Sequence, residues 1–313
     1  MTELKAVGQK GASEWQRVSR AAPCVVCESP DWCTRSMDGA NCCMRVKSDI
    51  PMRNGGWLHR VNGEIQPRRV FRPKERRLTD SELSARFGPL ARHWYVGKDK
   101  EIKLLAETLG VAAWALDALR VGFDGLCYTF PEFNHYGQII GVNRRFPDGM
   151  KRCCIGSRRG LTYTEDWADA PGPVLIVEGA SDVAAGLTLG LCVIGRPSNT
   201  GGVEYLTKLL GKYRDQRVVL IAERDEKDLT QLPATHDAKC FCCGRCFPGK
   251  FGAVQTSIRL SKKLDRIVEW SFVPGHAKDL RGWLTSMSAS PNNEQAMRRL
   301  AGSLLWRIRH AIH

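Results

Sequence analysis

No apolar run in the chain approaches the ~18 residues that a membrane-crossing helix requires, which excludes a helical bilayer span. The first residues, Met1-Thr2-Glu3-Leu4-Lys5, lack the apolar core of a secretory signal, so a cytoplasmic protein is expected. No G-x₄-G-K-[ST] sequence occurs, which excludes a nucleotide-triphosphatase P-loop. Acid is scarce as well: 33 aspartates and glutamates face 47 lysines and arginines, a formal net charge of +14. That excess points to a polyanionic partner, although charge alone does not separate nucleic acid from an anionic membrane surface. A length of 313 residues leaves room for about two compact domains.

Cysteine, by contrast, is plentiful. Thirteen cysteines in a reducing compartment do not make a disulfide framework, and their clustering supports metal binding instead. Cys24, Cys27 and Cys33 follow the spacing C-x₂-C-x₅-C, and Cys42 and Cys43 compete for a fourth position. Cys43 is favoured, giving a tetrahedral zinc site of Cys24, Cys27, Cys33 and Cys43 in a segment too small to fold on a hydrophobic core. Unmetallated buried thiols are the alternative. A second patch, His236, Cys240, Cys242, Cys243 and Cys246, offers five ligands in eleven residues. His236, Cys240, Cys243 and Cys246 are the preferred set for a second zinc, against an unmetallated loop. Cys127, Cys153, Cys154 and Cys192 read as packing residues.

From Pro171 the pattern alternates strand and helix: strands 174–177, 191–194, 217–222 and 267–273, helices 181–189, 203–213 and 251–264. This is an α/β class with a parallel sheet wound by helices. Two of the strands are unbroken apolar runs that end in acids, Val174-Leu175-Ile176-Val177-Glu178 with Asp182 following, and Val218-Val219-Leu220-Ile221-Ala222-Glu223-Arg224-Asp225. Parallel strands deliver such residues to the carboxyl edge of the sheet, where crowded carboxylates repel unless an oxygen-preferring cation joins them. Mg²⁺ held by carboxylates and substrate phosphates is the common solution. For Asp182 alone, favouring the first turn of its own helix is the competing explanation.

Ahead of that region, 101–121 reads as two short helices broken at Gly110, better suited to core packing than to a helix-turn-helix. Residues 125–164 alternate as a small antiparallel sheet with a turn at Pro147-Asp148-Gly149 and the cations Arg144, Arg145, Lys151, Arg152, Arg158 and Arg159. The run Arg68 to Arg77 reads as a basic linker, and 294–313 as an amphipathic helix that packs on the body or on a partner. The loop Gly195-Arg196-Pro197-Ser198-Asn199-Thr200-Gly201-Gly202 stands between a strand and a helix, where glycines and free N–H groups suit an anion or simply a flexible connection.

Glu178-Gly179-x-x-Asp182, answered one strand later by an acid-x-acid pair, resembles the Toprim domain of bacterial and phage primases, topoisomerases and some nucleases. The four-cysteine segment, with Cys43-x-Arg45-Val46 and Gly56-Trp57-Leu58-His59-Arg60, resembles the zinc module that precedes Toprim in primase-like proteins of phages and some bacteria, so an origin in a phage, a mobile element or a bacterium of that lineage is expected. Gly137-Gln138-Ile139-Ile140-Gly141-Val142-Asn143-Arg144-Arg145 and Lys151 are similar to the basic strand pair before Toprim in replicative primases, and the Gly195–Gly202 loop to the corresponding loop of the same family.

The resemblance implies a general acid/base role for Glu178 and Mg²⁺ held by Glu223 and Asp225, with Glu178 as a further ligand. It implies an outer acid at Asp279 in Pro274-Gly275-His276-Ala277-Lys278-Asp279. It implies nucleic-acid or nucleotide contact by Arg145 and Lys151, more weakly by Arg144, and phosphate contact by Arg196 and Ser198. Two departures stand out: Glu223 replaces the usual Asp, and Arg281 stands where primases often place another acid.

The expected organisation is a zinc module (1–62), a basic linker (63–100), a basic α+β subdomain (101–170), a Toprim domain (171–290) with a Cys-rich insertion (236–246), and a C-terminal helix (291–313). The expected function is Mg²⁺-dependent, template-directed synthesis of short RNA primers on single-stranded DNA from nucleoside triphosphates. Any helicase partner would be a separate chain, and no membrane partner is expected. A Toprim nuclease uses the same acids to cleave phosphodiesters, and a catalytically idle zinc/Toprim DNA-binding recombination mediator is the non-enzymatic alternative.

Overall fold

A computed structural model describes residues 15–37, 39–52, 55–60, 77–225 and 246–310. The chain divides into two compact units, residues 1–75 and 76–313. In the first, β1 (Trp15–Arg17), β2 (Thr34–Ser36), β3 (Ala40–Cys43) and β4 (Trp57–Arg60) form an antiparallel sheet in sequence order. Among the described residues its buried core consists of Val18, Cys24, Cys33 and Cys43. So few apolar groups supply little folding energy, and a unit this small depends on some further link.

The second unit starts earlier than the linker expected over 63–100 would allow. Residues 61–76 lie outside the described residues, and with them all of the arginine-rich run except Arg77, but α1 (Asp80–Tyr95) is a full helix. Thr79 caps it, its Oγ1 accepting from Glu82 N while the Glu82 carboxylate accepts from Thr79 N. Leu83, Phe87 and Ala91 form its buried stripe. Asp80 pins its start to the rest of the unit, accepting from Arg158 Nη1 and, at 3.0 Å, from Asn134 Nδ2.

The helices α2 (Asp99–Leu109) and α3 (Ala113–Ala118) break at Gly110, whose φ of 67° is a left-handed cap. Both bury their apolar faces in the core, as expected of packing helices. An antiparallel sheet follows in sequence order: β5 (Gly122–Phe123), β6 (Tyr128–Phe133), β7 (Ile139–Arg145) and β8 (Lys151–Cys153). The turn at Pro147-Asp148-Gly149 joins β7 to β8 and sets Arg145 directly opposite Lys151.

The remaining strands are β9 (Val174–Glu178), β10 (Val193–Arg196), β11 (Val218–Ala222) and β12 (Glu269–Phe272), all parallel, in the order β10-β9-β11-β12. Side chains alternate strictly between two cores. Leu175, Val177, Val219 and Ile221 face one, with α2, α3, α4 (Ala180–Thr188), α7 (Leu280–Ser286) and α8 (Glu294–His310). Val174, Ile176, Ile194, Val218, Leu220 and Ala222 face the other, with α1, α5 (Val203–Leu210) and α6 (Pro248–Leu264). The path leaves β9 toward β10 and then crosses back to β11. With right-handed crossovers that reversal puts α4 on one face and α5 and α6 on the other. A crevice therefore opens at the carboxyl ends of β9 and β11, where the direction switches. On α8, Met297, Ala301, Leu304 and Ile308 pack into the first core, so this helix belongs to the body.

The two sheets of this unit are stitched together by residues 161–162. Leu161 pairs with Phe133 of β6, and Thr162 exchanges both backbone hydrogen bonds with Gly195 of β10 (3.0 and 2.7 Å). This stitch holds the basic hairpin over the carboxyl edge of the parallel sheet.

Candidate active site and metal centre

In the first unit the sulfurs of Cys24, Cys27, Cys33 and Cys43 lie within 4.8 Å of one another. Cys27 Sγ to Cys33 Sγ is 3.7 Å, and Cys33 Sγ to Cys43 Sγ is 4.0 Å. Four sulfurs tetrahedrally placed at ~2.3 Å from a central ion are ~3.8 Å apart, so the cluster has the dimensions of a thiolate metal site. Backbone N–H groups support it: Met44 N donates to Cys33 Sγ (3.4 Å), and Arg45 N and Val46 N to Cys43 Sγ (3.4 and 3.2 Å). Burial pushes the Cys33 thiol up to about 12, so a cation is what would hold it as thiolate. Cys42 is also buried but is not in the cluster. Of the second cysteine patch, His236, Cys240 and Cys243 lie outside the described residues, and Cys246 is buried just before α6.

In the second unit, the crevice at the ends of β9 and β11 is a cavity of about 390 Å³, roofed by β6, β7 and β8. Its floor is acidic. Carboxylate oxygens of Asp182, Glu223 and Asp279 lie within 4.8 Å of one another. Asp182, in the first turn of α4, does not cap its own helix. Its Oδ1 accepts from Arg281 N (2.9 Å), while Asp279, the cap of α7, accepts from Gly282 N (2.7 Å). Two carboxylates thus share one helix start. Burial, reinforced by Asp279, pushes Asp182 up to about 8; burial and the nearby Glu178 push Glu223 up to about 7. Lys278 Nζ stands 3.5 Å from Glu223 Oε2 and offsets part of this crowding.

The expected Mg²⁺ set was Glu178, Glu223 and Asp225, and the geometry distributes these differently. Glu178, at the end of β9, faces Arg196 of the neighbouring strand, Oε2 to Nη2 3.9 Å, and its carboxyl is raised mainly by burial. Asp225 turns toward α6: its Oδ1 accepts from Gly249 N (2.6 Å), one residue after Pro248 starts the helix. A Cβ on Gly249 would meet Glu223 O at 2.4 Å and Asp225 Oδ1 at 2.6 Å, so only glycine permits this approach.

The roof is basic. Arg145 and Lys151, opposite each other across β7 and β8, line the cavity, and burial lowers the pKa of both. Arg144 also reaches the cavity but is tied to Asp124, Nε to Oδ2 2.7 Å. Of the loop after β10, Arg196 is 1 % exposed and donates from Nη1 to Asn199 O and Thr256 Oγ1 (3.1 Å), whereas Ser198 is exposed and stands outside the cavity lining.

No family model matches the chain, and no curated protein sequence does. Solved primase structures are similar to it. The E. coli primase catalytic core is 13 % identical, with a TM-score of 0.44, over 71 % of this chain and 80 % of that one. The zinc-binding and RNA polymerase domains of Aquifex aeolicus primase are 12 % identical, with a TM-score of 0.47, over 72 % and 62 %. The primase fragment of the bacteriophage T7 primase-helicase protein is 13 % identical, with a TM-score of 0.39, over 89 % and 97 %.

Sequence reasoning missed several cavity residues. Glu132 is 4 % exposed in the middle of an apolar strand; its Oε1 and Oε2 accept from Arg159 Nε at 3.0 Å, and Oε2 also from Gly160 N at 2.9 Å. A lone acid in an apolar strand was the available signal. In the sequence Lys278 carries no role beside Asp279, and Arg281 stands only as the departure from an acid. Chemically, the floor can hold a divalent cation and the roof can hold an anion.

Proposed function

We propose that the chain is a primase-type nucleotidyltransferase that joins ribonucleotides on a single-stranded DNA template. The observation that carries this reading is the two-sided cleft: a carboxylate cluster at the switch point of a parallel sheet, facing a basic hairpin across one cavity. Asp182, Glu223 and Asp279 would hold Mg²⁺, whose chemistry there is neutralising phosphate charge and polarising the reacting phosphoryl group. Burial, with crowding added, raises the pKa of Asp182 and Glu223 and leaves them in want of a cation, so the donor set suits a hard ion.

In this reading Glu178 accepts the proton of the attacking hydroxyl on a carboxylate oxygen as the new P–O bond forms and pyrophosphate leaves. Burial raises its pKa and so its basicity, and Arg196, 3.9 Å away, faces its carboxylate. Arg145 and Lys151 hold phosphates, and Arg159, fixed by Glu132, braces the wall between them and the loop after β10. Asp225 sets the loop after β11 by capping α6. The cysteine cluster would hold Zn²⁺ as a structural ion, with template reading as its purpose.

The test is direct: purified protein, single-stranded DNA, Mg²⁺ and labelled ribonucleoside triphosphates should yield short RNA oligonucleotides. Shortening of the DNA without synthesis would identify a nuclease instead, and template binding with neither reaction would leave a binding protein.

A further inference from the structure

The cavity lining carries seven cations, and four of them are committed to carboxylates: Arg144 to Asp124, Arg159 to Glu132, Arg196 to Glu178 and Lys278 to Glu223. The other three, Arg145, Lys151 and Arg281, have no carboxylate within ion-pair distance among the described residues. They come from two elements. Arg145 and Lys151 hang from the hairpin, while Arg281 stands in the first turn of α7, its backbone N–H on Asp182. All three line one cavity: burial lowers the pKa of Arg145 and Lys151, and the Arg281 charge adds to that in both, while Asp182 and Glu223 act the other way on Lys151. Like charges gathered in one cavity with no carboxylate at ion-pair distance are a site for an anion of high charge density.

We propose that Arg281 completes, with Arg145 and Lys151, a polyphosphate subsite facing the Asp182–Glu223–Asp279 cluster, so that the cleft takes up a divalent cation and a polyphosphate as one complex. The inference rests on the nucleotidyl-transfer reading and adds the residue that joins its two poles. A free anion would be repelled by the acids, and a free cation by the guanidinium and ammonium groups. A metal-chelated polyphosphate satisfies both at once. Diester phosphates of nucleic acid carry the same chemistry but only one charge each, spread along the strand, and suit three cations in about 390 Å³ less well. Arg281 is placed to couple the poles because its main chain holds a carboxylate of one while its charge acts on Arg145 and Lys151 of the other.

The experiment measures, by titration calorimetry on the full chain, the binding of inorganic tripolyphosphate with and without Mg²⁺. Single-stranded DNA binding and Mn²⁺ binding by electron paramagnetic resonance are followed in parallel. Mg²⁺ should tighten tripolyphosphate binding to the unaltered protein. Arg281→Gln should weaken the Mg²⁺-tripolyphosphate complex by about tenfold or more, the scale of a lost charge-assisted contact, while Mn²⁺ and DNA binding change little. Arg281→Lys should recover most of the loss. If Arg281→Gln binds tripolyphosphate normally while Arg145→Gln and Lys151→Gln do not, Arg281 lies outside the subsite; the proposal falls and the nucleotidyl-transfer reading stands. If Arg281→Gln loses DNA instead, the subsite is one for diesters and the proposal also falls. Should the unaltered protein not bind tripolyphosphate even with Mg²⁺, the proposal and the reading beneath it fall together.

Discussion

At the scale of single residues, Asp182 and Asp225 have opposite fates. Asp182 is held beside two other carboxylates, and Asp225 is spent on a helix start. Asp182→Asn should therefore weaken Mn²⁺ binding by about tenfold or more. Asp225→Ala should cost about 1 kcal/mol of stability through the lost cap and weaken Mn²⁺ far less, as read by paramagnetic resonance and thermal melts. Equal metal loss in both variants would return Asp225 to the ligand set. Glu178→Gln keeps shape but removes basicity, so primer synthesis should fall by about two orders of magnitude with the fold intact; near-normal synthesis would remove Glu178 from the chemistry. The sequence made the acids visible because they end apolar runs. It did not show how they group, since Asp182 and Asp279 meet only when α4 and α7 pack together, nor that Arg281 lines the cleft.

At the scale of elements, alternation and helical period identified the parallel sheet, the antiparallel hairpin and α8, because each has one clear apolar face. The first helix escaped for a physical reason. Gly88 and Pro89, poor helix formers, lie inside α1, and its large buried apolar side chains are only Leu83 and Phe87 with Ala91, so beside an arginine-rich run it reads as linker. Its stability comes from the capping box and from tertiary anchors at Asp80 that a linear pattern does not display. The start of α6 is a tightly constrained junction. Gly249→Ala should push the main chain of Glu223 and the carboxylate of Asp225 apart, cost about 1–3 kcal/mol, and weaken Mn²⁺ binding as well. A variant that melts lower yet binds Mn²⁺ normally would show that the acid cluster tolerates movement of the α6 start.

For the whole molecule, the charge buried in the cleft links stability to pH. Asp182 moves from an ordinary 3.8 to about 8 on folding, and Glu223 from 4.5 to about 7. Between the ordinary and the raised values the folded chain holds protons that the unfolded chain has released. Stability therefore falls as pH rises through this window, from about 4 to about 8, and levels off above it. A divalent cation reverses the preference, because it binds the ionised carboxylates and displaces those protons. Mg²⁺ should then raise the melting temperature of the larger unit most above pH 8 and least near pH 5, and its binding near pH 7 should release protons, measurable in buffers of different ionisation enthalpy. Asp182→Asn should flatten the metal-free pH dependence and shrink the Mg²⁺ effect together. If Mg²⁺ stabilises the unaltered protein equally at pH 5 and pH 8, the carboxylate cluster is not where it binds.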